Sequence, residues 1–444
     1  MSQFWCDFAW LGGDTATPHV LIDVVDGRIG AVAAGVDRPP AAAHLAGLTL
    51  PGMANAHSHA FHRALRGRTQ VGTGSFWTWR DQMYALAQSL TPDTYFDLAQ
   101  AVFGEMLLAG VTCVGEFHYL HHGAEGRRYT DPNAMGVAVV AAAKAVGIRI
   151  TLLDTCYLHG GIGIAPNEVQ QRFSDGSAEA WAERVSLIAD NDGVRVGAAI
   201  HSVRAVDPDS MRVVAGWAAT RSAPLHAHVS EQHAENEQCR IAHGRTPTEV
   251  LSDAGALGER FTAVHATHLS DRDVALLGGS RCTICMCPTT ERDLADGIGP
   301  TTRLGAAGAN ISLGSDSHAV IDLFEEARAV ELDERLSSNV RGNHTAAMLL
   351  KAATLHGHRS LGWVDAGIIR AGAVADLVSV RLDSVRTAGA SAGFLLETAV
   401  FAATATDVHH VMVGGEVRVR DGAHVSFDVA GELGRTLNTV WEGV

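Results

Sequence analysis

Two histidines one residue apart, His57-Ser58-His59, end an apolar run that begins at Met53. On an extended strand, alternation puts both imidazoles on one face, a spacing that suits two ligands of one metal ion. The pattern returns along the chain. His226-Ala227-His228-Val229-Ser230-Glu231 closes a second apolar run, His265 and His268 fall in a third, and Gly314-Ser315-Asp316-Ser317-His318 closes a fourth. A lone buried histidine is usually a satisfied core residue. Four such groups, each at a strand end, point instead to a metal centre with acid–base groups around it.

The elements that must position these groups are legible in the apolar pattern. Strands are predicted over 53–59, 111–118, 149–157, 194–202, 224–230, 261–268, 281–288 and 310–317, most of them separated by helical stretches such as 92–109, 133–146, 178–188 and 210–220. Eight apolar strands alternating with helices predict an α/β fold, a (β/α)8 TIM barrel, with active-site residues at the C-terminal strand ends. An open doubly wound sheet would want a glycine-rich loop after its first strand, and here that strand ends in His-Ser-His. Short strands before residue 50, and again around 375–381, 409–413 and 417–419, predict a composite β-sandwich-like domain from 1–50 and 367–425. The barrel then occupies 51–366, and 426–444 forms a C-terminal helical extension. Gly414-Gly415 reads as a hairpin turn.

The pattern Pro51-Gly52-Met53, His57-Ser58-His59, His228-x-x-Glu231, His265 and Asp316 resembles the amidohydrolase superfamily, in its branch with one metal and an HxxE motif. The resemblance spans nearly the whole chain. It implies metal ligands at His57, His59, His228 and Asp316, holding one Zn(2+) per subunit; Fe(2+) or Mn(2+) would suit the same set. It also implies Asp316 as the acceptor of the water proton, Glu231 as the acid toward the leaving nitrogen, and His265 as a donor to the attacking oxygen. Lysine supports the one-metal branch independently. Two-metal relatives bridge their ions with a carboxylated lysine after the fourth strand, which here ends His201-Ser202-Val203-Arg204, and the only lysines are Lys144 and Lys351.

Further segments narrow the resemblance: Ser75-Phe76-Trp77-Thr78-Trp79-Arg80, Glu116-Phe117-His118-Tyr119, His201-Ser202-Val203-Arg204 and Cys287-Pro288-Thr289-Thr290-Glu291. Together they are similar to the formimidoylglutamate deiminases, which convert N-formimino-L-glutamate and water to N-formyl-L-glutamate and ammonia in histidine degradation. This likeness implies substrate contacts from Arg80, Tyr119, His201 and Arg204, and arginine is the best fork for a carboxylate. Arg80 is expected in a long loop after the first strand. One position departs from the family pattern, which has Gln three residues after the second metal histidine. Here it is His62, which either donates to a carboxylate in the glutamine's place or adds a titrating charge and changes the substrate. Another acidic amidine, a heterocycle such as guanine or cytosine, and a non-catalytic ligand-binding barrel are the alternatives.

Composition bounds the partners. Apolar residues make up 47% and charged residues 19%, with a formal charge of -15 and no basic cluster, which argues against a nucleic-acid surface. No segment reads as a membrane span or a secretory signal. Seven scattered cysteines read as reduced thiols, and a cytoplasmic enzyme with a small acidic substrate is expected, as a homodimer. Cys282, Cys285 and Cys287 lie on one apolar strand and are expected in the core. His121 and His122 are expected at the pocket mouth or in a solvated loop, His118 at the mouth, His318 behind the metal site, and Glu325-Glu326 on a solvated helix face.

Overall fold

The computed structural model describes residues 2–71 and 76–442. The chain opens with β1 (Ser2–Ala9), β2 (Thr17–Val25), β3 (Arg28–Ala34) and β4 (Ala43–Pro51), then enters a barrel through β5 (Met53–Ser58). The barrel continues with β6 (Val111–His118), β7 (Arg149–Cys156), β8 (Val194–Ile200), β9 (Leu225–Val229), β10 (Phe261–His265), β11 (Thr283–Met286) and β12 (Asn310–Leu313). These eight strands pair in parallel and in chain order, as repeated right-handed β-α-β units require. The ring closes nearly completely through a bridge between Ser58 and Asp316. There His59 N donates to the Asp316 carbonyl at 3.2 Å and Asp316 N to the His57 carbonyl at 3.0 Å.

Helices cover the sheet outside and side chains fill it inside, so β5, β6, β7, β9, β10 and β11 are buried along their whole length. This is why they read as continuous apolar runs. Several strands end earlier than those runs, because the backbone turns out of the ladder. Ser230, His265, Ala266 and Asp316 have φ of 52°, 68°, 51° and 43°. Gly314 is needed for another reason: a Cβ there would lie 2.8 Å from the His57 Cβ and 3.0 Å from the Cys287 sulfur.

The remaining strands, β13 (Leu377–Val380), β14 (Val408–Val413), β15 (Glu416–Arg420) and β16 (Ala423–His424), join β1–β4 in one mixed sheet of order β16-β15-β14-β13-β4-β1-β2-β3. Its own core sets Cys6, Val20 and Ile22 against Leu377 and Met412. Gly414 and Gly415 form the β14–β15 turn with φ of 56° and 82°, the left-handed pair that a two-residue hairpin needs. The helix Val429–Glu442 follows, and Trp441 Nε1 ties it to the Ala64 carbonyl at 3.0 Å.

Candidate metal centre and active site

Four strand ends converge at the C-terminal mouth of the barrel. His59 Nδ1 meets the Phe117 carbonyl at 2.9 Å, and His228 Nδ1 meets the His201 carbonyl at 2.9 Å. A carbonyl only accepts, so both rings carry their proton on Nδ1 and turn an Nε2 lone pair inward. His228 Nε2 lies 3.1 Å from His57 Nε2, and Asp316 Oδ1 lies 3.3 and 3.4 Å from Nε2 of His57 and His59. Burial, with His57 next in size, pushes His59 down to about 3 and His228 well below the ordinary imidazole value. Burial opposes ionisation of Asp316, but its hydrogen bond to His57 and the charges of His57, His265 and His59 hold it well below the usual carboxylate range. Nε2 of His57, His59 and His228 and Oδ1 of Asp316, all buried and each within 3.4 Å of another of the set, are a donor set that fits one divalent transition metal.

Beside this cluster stands an acid–base group. His265 Nε2 lies 3.7 Å from Asp316 Oδ2 and 3.8 Å from Glu231 Oε1. Its Nδ1 is 3.2 Å from Glu291 Oε1, an oxygen that also accepts the Cys287 N–H at 2.9 Å. Burial opposes a charged His265, yet Glu231, Glu291 and Asp316 together hold its pKa well above the ordinary value. The ring stands with Glu291 on its Nδ1 side and with Asp316 and Glu231 on its Nε2 side.

A cavity of about 260 Å³ opens from the cluster, and His62, Arg80, Tyr119, His201 and Arg204 all line it. His62 Nε2 lies 2.8 Å from Tyr119 Oη. Burial first, then His59, pushes His62 well below the ordinary value, so it is a neutral hydrogen-bonding group and brings no titrating charge at neutral pH. The Arg204 guanidinium reaches Glu231 Oε2 at 3.3 Å through Nη2 and Glu235 Oε2 at 3.4 Å through Nε. The His201 ring touches His228 with centroids 5.1 Å apart. Arg80 stands on the helix Phe76–Ser89, its guanidinium 5.4 Å above the Tyr84 ring. The expected long loop is thus a helix, whose one-turn spacing sets Arg80 beside Tyr84 at the mouth. Ser75 lies outside the described residues.

All the singled-out metal, acid–base and substrate residues therefore meet around one cavity. Other expectations need correction. His118, His121 and His122 are neither at the mouth nor in a solvated loop; they are buried behind β6 and β7, where His121 Nε2 donates to the Thr155 carbonyl at 2.8 Å and His122 Nε2 meets Asp175 Oδ1 at 3.1 Å. Asp154 stands beside them and accepts from Arg184 at 2.7 and 2.9 Å and from Trp181 at 2.8 Å, so its charge is neutralised by the buried arginine. Glu326 is fully buried and accepts the Thr289 N–H at 3.0 Å, pinning the segment that carries Glu291; only Glu325 pairs with a surface arginine. His318 does sit behind the site, 3.1 Å from Ser58 Oγ and 2.9 Å from Ser315 Oγ, and the three cysteines are core. Glu291 closes the segment Cys287-Pro288-Thr289-Thr290-Glu291, whose pattern by itself assigns it no role. The sequence carried no signal for Glu235, Tyr84, Tyr157 or Gln170, which meet the site only through tertiary packing.

Comparison with known proteins agrees with this geometry. Residues 48–418 match the model of the amidohydrolase family. The chain is 38% identical over 397 residues to the formimidoylglutamate deiminase of Pseudomonas aeruginosa, covering 86% of this chain and 87% of that one. It is 30% identical to the 8-oxoguanine deaminase of the same organism, covering 87% and 86%. Among solved structures, an amidohydrolase from Brucella melitensis superposes with a TM-score of 0.91 at 32% identity, covering 99% and 100% of the two chains. An adenosine deaminase from Xanthomonas campestris with bound zinc superposes at 0.84 and 23% identity, covering 99% and 97%, and shares the fold.

Proposed function

The chain belongs to the amidohydrolase family and is a hydrolase acting on C–N bonds; from that premise we propose that it deaminates N-formimino-L-glutamate to N-formyl-L-glutamate and ammonia. One observation carries the reading: a single cavity has a histidine–aspartate cluster at one end and Arg80, Tyr119, His201 and Arg204 around the rest. Two arginines suit a substrate with two carboxylates, and an uncharged base needs neither. The 38% identity to a formimidoylglutamate deiminase supports the same substrate.

In this reading His57, His59, His228 and Asp316 hold one zinc ion, with iron or manganese as alternatives for the same donors. When bound, the ion supplies Lewis acidity that brings the pKa of water toward neutrality. The water oxygen bonds to the amidine carbon and the bond from that carbon to the terminal nitrogen breaks. Asp316 receives the water proton, and His265, 3.7 Å from its Oδ2, donates to the incoming oxygen. Glu231 relays protons from the water oxygen to the departing nitrogen, so that as the C=O bond forms both water protons end on that nitrogen, which leaves as ammonia. Arg204 holds Glu231 at 3.3 Å, which joins substrate binding to the acid. Seven buried, free cysteines support a reducing compartment, and with it a cytoplasmic role in histidine degradation.

The test is ammonia release from N-formimino-L-glutamate by zinc-loaded protein, beside a panel of heterocycles. Chelator-sensitive release from formiminoglutamate is expected, with loss of turnover but retention of metal in Glu231→Gln. Turnover of a heterocycle alone would overturn the substrate reading and keep the hydrolase.

A further inference from the structure

Gln170 is buried in the short turn Gln170–Phe173 that follows β7. Its Oε1 accepts the Asn167 N–H at 3.0 Å, and its own N–H donates to Asn167 Oδ1 at 2.9 Å. The first of these bonds fixes the amide, because its oxygen must face the backbone donor and its NH2 must face away. On that other side Nε2 donates to Tyr84 Oη at 2.9 Å and to Tyr157 Oη at 2.8 Å. A phenol has one proton, and an oxygen that accepts from Gln170 keeps that proton for a further acceptor. The two hydroxyls can satisfy each other only once, so at least one O–H is directed elsewhere.

Both tyrosines line the cavity, and among the described residues the carboxylates lining it are Glu231 and Asp316, on the metal side. Tyr157 meets the His201 ring at 4.5 Å between centroids, and His201 meets His228 at 5.1 Å, so the Tyr157 phenol stands one ring away from the histidine–aspartate cluster. Arg80 stacks over Tyr84 at 5.4 Å. That wall offers hydrogen-bond donors and positive charge.

We propose that Tyr84 and Tyr157 form a subsite for the substrate carboxylate farther from the reacting C–N bond, and that Gln170 is the positioning residue that aims their hydroxyl protons into the cavity. The subsite rests on the acidic-substrate reading above and adds three residues to it. Gln170→Glu tests it with little change of shape. A carboxylate at 170 accepts from both phenols, turns their protons away from the cavity and leaves the ring packing in place. Tyr84→Phe and Tyr157→Phe each remove one hydroxyl and carry the test if Gln170→Glu does not fold.

The readouts are KM and kcat for N-formimino-L-glutamate, and calorimetric Kd for glutarate and for its monoamide. Metal content and thermal midpoint are checked against the parent protein. The expected result is a KM and a glutarate Kd raised roughly tenfold or more, the scale of one hydrogen bond to a charged group. The variants should also lose preference for glutarate over its monoamide, with kcat within about twofold, since the lost contact is made equally in the ground and transition states. Unchanged KM and unchanged preference in an active, folded variant would overturn the subsite and leave the proposed reaction standing. Glutarate binding by the parent protein without turnover of formiminoglutamate, but with weakened binding in the variants, would do the reverse. A parent protein that neither binds glutarate nor turns over formiminoglutamate overturns both.

Discussion

Arg204 can be removed in a way that separates binding from structure. Its guanidinium is held between Glu231 at 3.3 Å and Glu235 at 3.4 Å, with the arginine side chain 16% exposed. Arg204→Ala leaves Glu235 buried without its cation, although Glu235 Oε1 still accepts the Ser230 N–H at 3.2 Å. Breaking one partner of a buried pair costs about 3–5 kcal/mol. The partial exposure puts this pair near the lower end, about 3 kcal/mol of folding stability. Burial already raises Glu235 against the lowering effect of Arg204, so without the arginine Glu235 takes up a proton and recovers part of that loss. Substrate binding loses a separate quantity, one charge-assisted contact to a carboxylate, worth roughly 1.5–3 kcal/mol or about 10- to 150-fold in kcat/KM. The second substitution, Glu235→Gln, removes the buried charge and keeps the shape. The double variant should regain most of the lost stability in a urea titration while its kcat/KM for N-formimino-L-glutamate stays depressed. Recovery of kcat/KM along with stability would refute the carboxylate contact and leave Arg204 a structural cation. An unchanged kcat/KM in the single variant would refute it more simply.

Two further outcomes follow from burial. His62→Gln places beside Tyr119 the residue that the resemblance implies there; because burial keeps His62 neutral and it is bonded to Tyr119 Oη at 2.8 Å, kcat/KM should change by less than about fivefold, the scale of one neutral hydrogen bond, and the pH–rate profile between pH 5 and 8 should keep its shape. A lost or gained limb would show that His62 titrates there. His118 and His121, behind β6 and β7, are pushed down to about 3 and about 4, by burial first, whereas in an unfolded chain they titrate near 6.5. Between roughly pH 6 and 4 the unfolded chain binds one more proton at each, so stability rises with pH and is lost on acidification, at up to about 2.7 kcal/mol per pH unit for the pair. Denaturant titrations across that window should show the slope, and a flat stability would refute the neutral, buried state of these rings.

The barrel and its metal end were legible because they obey short-range rules. Parallel strands buried on both faces must be apolar throughout, so all eight stood out, and a polar group at the end of such a strand has few structural reasons to exist. The Gly414-Gly415 turn was equally local. The cavity wall was harder to see. Tyr84 comes from a helix between β5 and β6, Tyr157 from the end of β7 and Gln170 from the turn beyond it, and nothing in their spacing joins them. Glu326 misled because two adjacent glutamates on a helix suggest solvent, whereas one residue of rotation turned Glu326 onto the Thr289 N–H. His118, His121 and His122 misled for the opposite reason: Arg184, which neutralises Asp154 and Asp175 beside them, lies far along the chain.

The two ends of the cavity are built differently, and this bears on specificity. At the metal end, Ser230, His265, Ala266, Asp316 and His318 hold φ of 52°, 68°, 51°, 43° and 59°, a region that costs a non-glycine residue on the order of 1–3 kcal/mol. These reversals take the chain out of the ladder just after a strand has delivered its functional group. They also let neighbouring ends tie together: Ala266 N donates to the Val229 carbonyl at 3.0 Å and His268 N to the Ser230 carbonyl at 3.0 Å. The His201 carbonyl accepts from both the backbone and the ring of His228, at 3.2 and 2.9 Å. The strand ends that carry the histidine–aspartate cluster are thus tied to one another by main-chain bonds. The opposite wall is carried by the helix Phe76–Ser89 and the segment after β7, where the contacts are side chain to side chain. Substitutions there can change the compound accepted without moving a ligand.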